Sequence, residues 1–223
     1  MSLLDELKKK AEIIKIEELE GEDTTITTVG EEIRNRNAII LNEKLDYIHK
    51  YLKQLADNLN VIKPENEITY NLMDPSQEQY NIYHVRKTNF SVHDGKSENG
   101  NRVLLKYDIY AKEGLSVKIR NDGKVPAIRH HLTEKTVHYF ENDAEGGRII
   151  ITLAPPISTR LIYAADLDNC MIVLKFDNYD GPWANLAVYS PEAITEELMD
   201  ETAKRLMGEE NRFKELSGQE LRV

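Results

Sequence analysis

The sequence predicts an α+β protein: an N-terminal helical region with one long heptad-like helix, then a mainly antiparallel β-sheet domain with a short internal helix and a C-terminal helix. Three observations carry this. Apolar residues recur every three or four positions as far as Ile62, the period changes to two from about residue 68, and helical spacing returns after Pro191. Strands follow one another without alternating helices, which argues against a βαβ sheet. The expected divisions are a helical region over 1–64, the sheet domain over 65–208 and a loosely held tail over 209–223.

Residues 2–20 read as a first helix, with Ser2 at its cap and Leu4, Leu7, Ala11 and Ile14 on one face. Gly21 suits a helix C-terminus, and the threonine-rich stretch 22–29 reads as a connection. A second helix is expected from Thr28, which has capping-box spacing to Glu31, to about Asn60, stopped by Pro64. Leu41, Leu45, Ile48, Leu52, Leu55, Leu59 and Ile62 alternate steps of four and three along it, a heptad seam. Such a seam fits a helical hairpin within one chain or a homodimer interface, since a partly apolar helix this long otherwise exposes a stripe to water.

Among the strands, Tyr80–Val92 has an alternation that slips between Val85 and Phe90, as a bulge would cause. Val103–Ala111 and Leu115–Ile119, joined by Glu113-Gly114, read as an antiparallel hairpin with one wet face. Residues 123–136 space Val125, Ile128 and Leu132 as a short helix, and further strands are expected over 137–140, 148–154, 157–165, 170–176 and 183–189. Ile194, Leu198, Ala203 and Leu206 mark the last amphipathic helix.

Length and composition place the chain among ordinary globular proteins: 223 residues, 40% hydrophobic, 30% charged. The single cysteine, Cys170, cannot close an intramolecular disulfide, and no basic-then-apolar leader opens the sequence, so the cytoplasm is the expected compartment. Apolar runs are far too short to span a bilayer. The net charge of -10 is uneven: residues 80–135 hold 11 basic and 6 acidic groups, whereas 1–79 hold 10 and 17, and 136–223 hold 8 and 16. A basic middle between acidic ends attracts an anionic partner or pairs with the acidic segments themselves.

The segments Leu3-Leu4-Asp5-Glu6-Leu7-Lys8, Leu59-Asn60-Val61-Ile62-Lys63-Pro64, Arg205-Leu206-Met207-Gly208 and Asn211-Arg212-Phe213 resemble a group of uncharacterised proteobacterial proteins of similar length. The resemblance implies one shared architecture over most of the chain and brings no catalytic residue with it.

Catalytic patterns are few. Neither a GxGxxG nor a P-loop leads into a helix, no GxSxG elbow occurs, and Cys170 beside Met171 and Ile172 reads as a small buried strand residue. His130, Glu134 and His138 are spaced by four, which would align three metal ligands on a continuous helix, but the strand expected at Val137 should end that helix first. Neither a metal nor a cofactor is therefore expected. Asp166, Asp168, Asp177 and Asp180 sit in turn-like stretches, where short carboxylates bond nearby amides.

The basic middle offers the most usable clue. Arg102, Lys106, Lys118 and Arg120 alternate with apolar positions of the expected hairpin, with Tyr83, Arg86 and Lys87 on a neighbouring strand and Tyr110 at its end. Such a face can follow a phosphate backbone, though the acidic flanks and the lack of an aromatic RNA-binding motif make nucleic acid a poor partner. The sequence thus favours a non-enzymatic interaction or scaffold protein, dimeric and binding another protein through its sheet. Its alternatives are an anion- or nucleic-acid-binding module on the basic face, and an enzyme with a dispersed His/Asp site.

Overall fold

The computed structural model describes residues 3–70, 72, 82–97, 100–112, 114–120, 125–179, 181, 184–216 and 221–222, of which 3–29, 97, 214, 221 and 222 are described by backbone alone. Helix α1 (Leu3–Ile62) leads into β1 (Glu65–Thr69), β2 (Ile82–Ser97), β3 (Gly100–Ala111) and β4 (Leu115–Arg120). Helix α2 (Val125–Glu134) precedes β5 (Tyr139–Ala144), β6 (Arg148–Leu153), β7 (Ile157–Asp166), β8 (Met171–Asp177) and β9 (Ala184–Tyr189). A 3-10 turn over Pro191–Ala193, α3 (Glu196–Met207), α4 (Phe213–Leu216) and β10 (Leu221–Arg222) complete the chain. The class is α+β, as the periodicity predicts. Ser2, Tyr80, Glu113, Asp180 and Trp183, each assigned to a predicted element or turn, lie outside the described residues.

Where the sequence suggests two helices, α1 is one, 60 residues long. A glycine inside a helix costs only about 1 kcal/mol, and no proline interrupts the run, so Gly21 is a weak stop signal. The heptad seam also finds a different partner from either expected one. Leu41, Leu45, Ile48, Leu52 and Leu59 are buried and Leu55 half-buried in the same core as Val85, Leu105, Tyr107 and Leu161, so the stripe lies on the chain's own sheet. Polar contacts fix its position: His49 Nδ1 lies 2.9 Å from Asp94, and Asn60 donates to Phe90 O at 2.8 Å while its Oδ1 accepts from Phe90 N at 2.8 Å. Ile62, the last seam position, is exposed, because the helix ends there.

Seven strands form the main sheet in the order β1-β2-β3-β7-β8-β9-β10, all neighbours antiparallel. A second sheet has the order β4-β6-β5. The expected hairpin of β3 with β4 therefore does not form. β3 pairs with β2 and β7, whereas β4 pairs with β6. Gly114, at φ +73, carries the chain from one sheet to the other, and a Cβ there would meet Thr152 Cγ2 at 2.9 Å. The bulge expected in the second strand is present as a register shift between Thr88 and Ser91, with Asn89 at φ +58.

Both long helices lie on one face of the main sheet. α1 contacts β2, β3 and β7. α3 reaches the same inward-facing rows, with the Leu206 carbonyl accepting from Lys87. Tyr51 joins the helices, donating to Asp200 Oδ1 at 2.6 Å. α3 starts later than Pro191, behind Thr195, whose hydroxyl accepts from Leu198 N, and it ends at left-handed Gly208. Beyond it, within the described residues up to Leu216, the chain is anchored at Phe213. Phe213 is fully buried, edge-on to Phe176 at 5.5 Å, and Arg205 lies over Phe176, Tyr179 and Phe213 at 4.6–4.9 Å. The hydrophobic core is one cluster spanning residue 64, so helix and sheet share it.

Candidate binding face of the sheet

The opposite face of the main sheet stays open. Along β3, β7 and β8, buried residues alternate with half-buried or exposed ones, the pattern of strands covered on one side only. The uncovered rows can be read across the strands. Lys106 stands opposite Arg160, which stands opposite Asp177. The next row runs Leu104, Ile162, Lys175, Leu186, and the next Arg102, Ala164, Val173, Val188. Val188 keeps 48% of its surface exposed. Each row thus sets at least one cation beside its neighbours, and two of the three carry apolar side chains.

Asp177 concentrates charge at one end of this face. Its carboxylate is buried, yet Arg160 Nη2 at 3.1 Å, Lys175 Nζ at 3.3 Å and Lys135 Nζ at 3.4 Å all converge on it. Among the described residues, one carboxylate against three cations leaves two positive charges over. Arg160 and Lys175 keep much of their side chains in water, which lowers the cost of that excess. Arg102 and Lys106 form no ion pair among the described residues, and Arg102 lies across Gly95, where a Cβ would meet its Nε at 2.8 Å.

The six basic residues singled out in the sequence do not form one patch. Arg102 and Lys106 are on the open face, but Lys118 and Arg120 belong to β4 in the other sheet. Arg86 and Lys87 are consecutive, so a strand must send them to opposite sides. Arg86 is exposed and donates to Glu65, whereas Lys87 is 2% exposed in the core, its Nζ donating to Leu206 O at 2.5 Å at the C-terminal end of α3. Burial pulls the Lys87 amine down to about 8. Tyr83 turns to the small sheet and donates to Ser116 O.

The other candidates are also dispersed. His130 reaches Glu134 at 3.5 Å, but α2 ends at Glu134, and the left-handed turn at Thr136 precedes His138. No group of three His, Cys, Asp or Glu residues that could hold a metal ion occurs among the described residues. Asp166 accepts from Asn169 within a turn, and Asp168 lies 3.2 Å from Arg34 on α1. Cys170 is half-buried at φ +52 in the turn before β8, not inside the strand. Among the described residues no helix is long and apolar enough to cross a membrane.

Sequence reasoning missed Arg160, Lys175 and Lys135. The first two alternate with apolar neighbours in their own strands, which is a signal for an outward position. Their meeting depends on a register that no single strand encodes. No family model matches the chain, and neither a curated protein nor a solved structure matches it.

Proposed function

We propose that the chain is a non-enzymatic interaction protein whose open sheet face receives an acidic, partly apolar segment of a partner protein. The observation that carries this is the row pattern itself: Leu104, Ile162, Val173, Leu186 and Val188 interleave with Arg102, Lys106, Arg160 and Lys175. Among the described residues the cations around Asp177 outnumber their carboxylate by two. An extended segment alternating carboxylates with branched apolar residues matches both features, because side chains on one face of a strand recur every second residue. The overall charge of -10 acts beyond a Debye length of about 8 Å and is screened, so local complementarity decides the contact.

Fluorescence anisotropy with a labelled peptide alternating glutamate and valine tests this. The reading expects saturable binding that weakens with salt and is lost in Arg102→Glu with Lys106→Glu, two residues with no ion pair among the described residues. Tighter binding of labelled single-stranded RNA than of the peptide would replace it with the nucleic-acid alternative.

Self-association in this reading cannot use Leu41 to Leu59, which are spent on the sheet. It falls to the part of α1 leading up to the domain, where residues 30–36 are all exposed and Ile33 and Ile39 present apolar surface. Light scattering of Ile33→Glu against the unaltered chain tests it: a fall in mass supports self-association there, and an unchanged mass removes it.

A further inference from the structure

At the corner of the main sheet, away from the rows just described, lies an open cleft of about 930 Å³. It forms where α1 ends against β1, β2 and β3. Lys63 follows the helix in a left-handed conformation, φ +49, its N–H donating to Leu59 O at 2.8 Å, so that Pro64 can turn the chain into β1. Glu65 of β1 is in register with Arg86 of β2, and Arg86 with Tyr110 of β3. Lys112, just past β3, closes the wall.

The charge balance of this cleft is uneven. Among the described residues Glu65 is its one carboxylate, and it is taken by Arg86, whose Nε donates to it at 2.6 Å; His84 Nε2 stands 3.9 Å from the same group. Lys63 and Lys112 form no ion pair among the described residues, so two positive charges face the cleft unmet even with His84 neutral. Beside Arg86, the Tyr110 ring is 39% exposed on the wall, an aromatic surface that a buried core would have absorbed.

We propose that this cleft binds a small phosphate monoester carrying a planar ring, of mononucleotide size. Two unmet cations match a dianion, with Arg86 near enough to add a donor once a phosphate competes with Glu65. The tyrosine offers a stacking surface for the ring. The volume is several times what phosphate alone fills and sits within the roughly 300–1,000 Å³ of ordinary small-molecule sites. The proposal goes beyond the reading of the sheet face and uses none of its residues.

Isothermal titration of the full chain with adenosine monophosphate, inorganic phosphate and adenosine tests it. The monophosphate should bind saturably, inorganic phosphate about tenfold more weakly, and adenosine without detectable heat. Lys63→Glu with Lys112→Glu should abolish binding of the monophosphate at an unchanged melting temperature, since neither lysine forms an ion pair among the described residues. Tyr110→Ala should weaken the monophosphate about fivefold and leave inorganic phosphate unaffected. Equal affinity for phosphate and the monophosphate, binding that survives the double charge reversal, or no saturable heat with any ligand would overturn the proposal.

Discussion

Replacing Leu52 by alanine separates packing within the chain from packing between chains. Leu52 is fully buried between α1 and the main sheet, in one cluster with Leu105, Tyr107 and Leu161. Removing three carbon atoms forfeits about 2.4 kcal/mol of transfer free energy at ~0.8 kcal/mol each. The cavity left behind adds ~1–2 kcal/mol if the strands, held by their hydrogen bonds, cannot collapse into it. The expected loss is therefore about 3.5–4.5 kcal/mol, a large part of the ~5–15 kcal/mol that holds a domain together. Urea unfolding followed by circular dichroism reads it. The midpoint should fall by the same amount in dilute and concentrated samples, with no change in mass by light scattering before unfolding begins. Val61→Ala, on the same helix but at a position 83% exposed, should change stability by no more than about 0.5 kcal/mol. If Leu52→Ala instead halved the mass and left a dilute sample's midpoint in place, the seam would lie between chains and the assignment of α1 to its own sheet would be wrong.

Other consequences are as direct. Burial lowers the Lys87 amine from 10.5 to about 8, so between those values the unfolded chain holds a proton that the folded chain has released. Lys87 should thus make stability rise with pH in that window, by up to about 3 kcal/mol, and urea midpoints of Lys87→Met measured across it should lack the rise. Asp177→Asn leaves Arg160, Lys175 and Lys135 without their shared carboxylate; because two of them can turn to water, the loss should be about 2 kcal/mol in chemical denaturation. Thr195→Ala removes the side-chain acceptor at the start of α3 and should cost about 1 kcal/mol by the same measurement, while Thr195→Ser should restore most of it.

The strands of the main sheet were legible because their burial is one-sided: Val103 to Ala111 and Ile157 to Ala165 alternate in sequence as they alternate in exposure. The helix seam was legible as an apolar stripe but not as to its target, since steps of three and four present one face to a helix or to a sheet alike. Pairing was harder. The short link at Gly114 carries the turn chemistry of a hairpin, and only long-range register reveals that it passes the chain to another sheet. The same lack of register hid the meeting of Arg160, Lys175 and Lys135 at Asp177. Beside outward Arg86, Lys87 must point inward by the pleat, but the helix end it meets lies 119 residues further along the chain, beyond the reach of local pattern. The anchoring of Phe213 was equally invisible, since its aromatic partner, Phe176, comes from β8.

The claim on which the functional reading rests is that the open face of the main sheet is a recognition surface. Backbone amide chemical shifts of the chain, followed as the glutamate–valine peptide is added, test it most directly. The account predicts changes that saturate and cluster at Leu104, Lys106, Arg160, Ile162, Val173 and Lys175, with α1 and α3 unaffected and the changes gone in Arg102→Glu with Lys106→Glu. Changes centred on the helices or on the small sheet, or none at peptide concentrations well above the protein's, would contradict it.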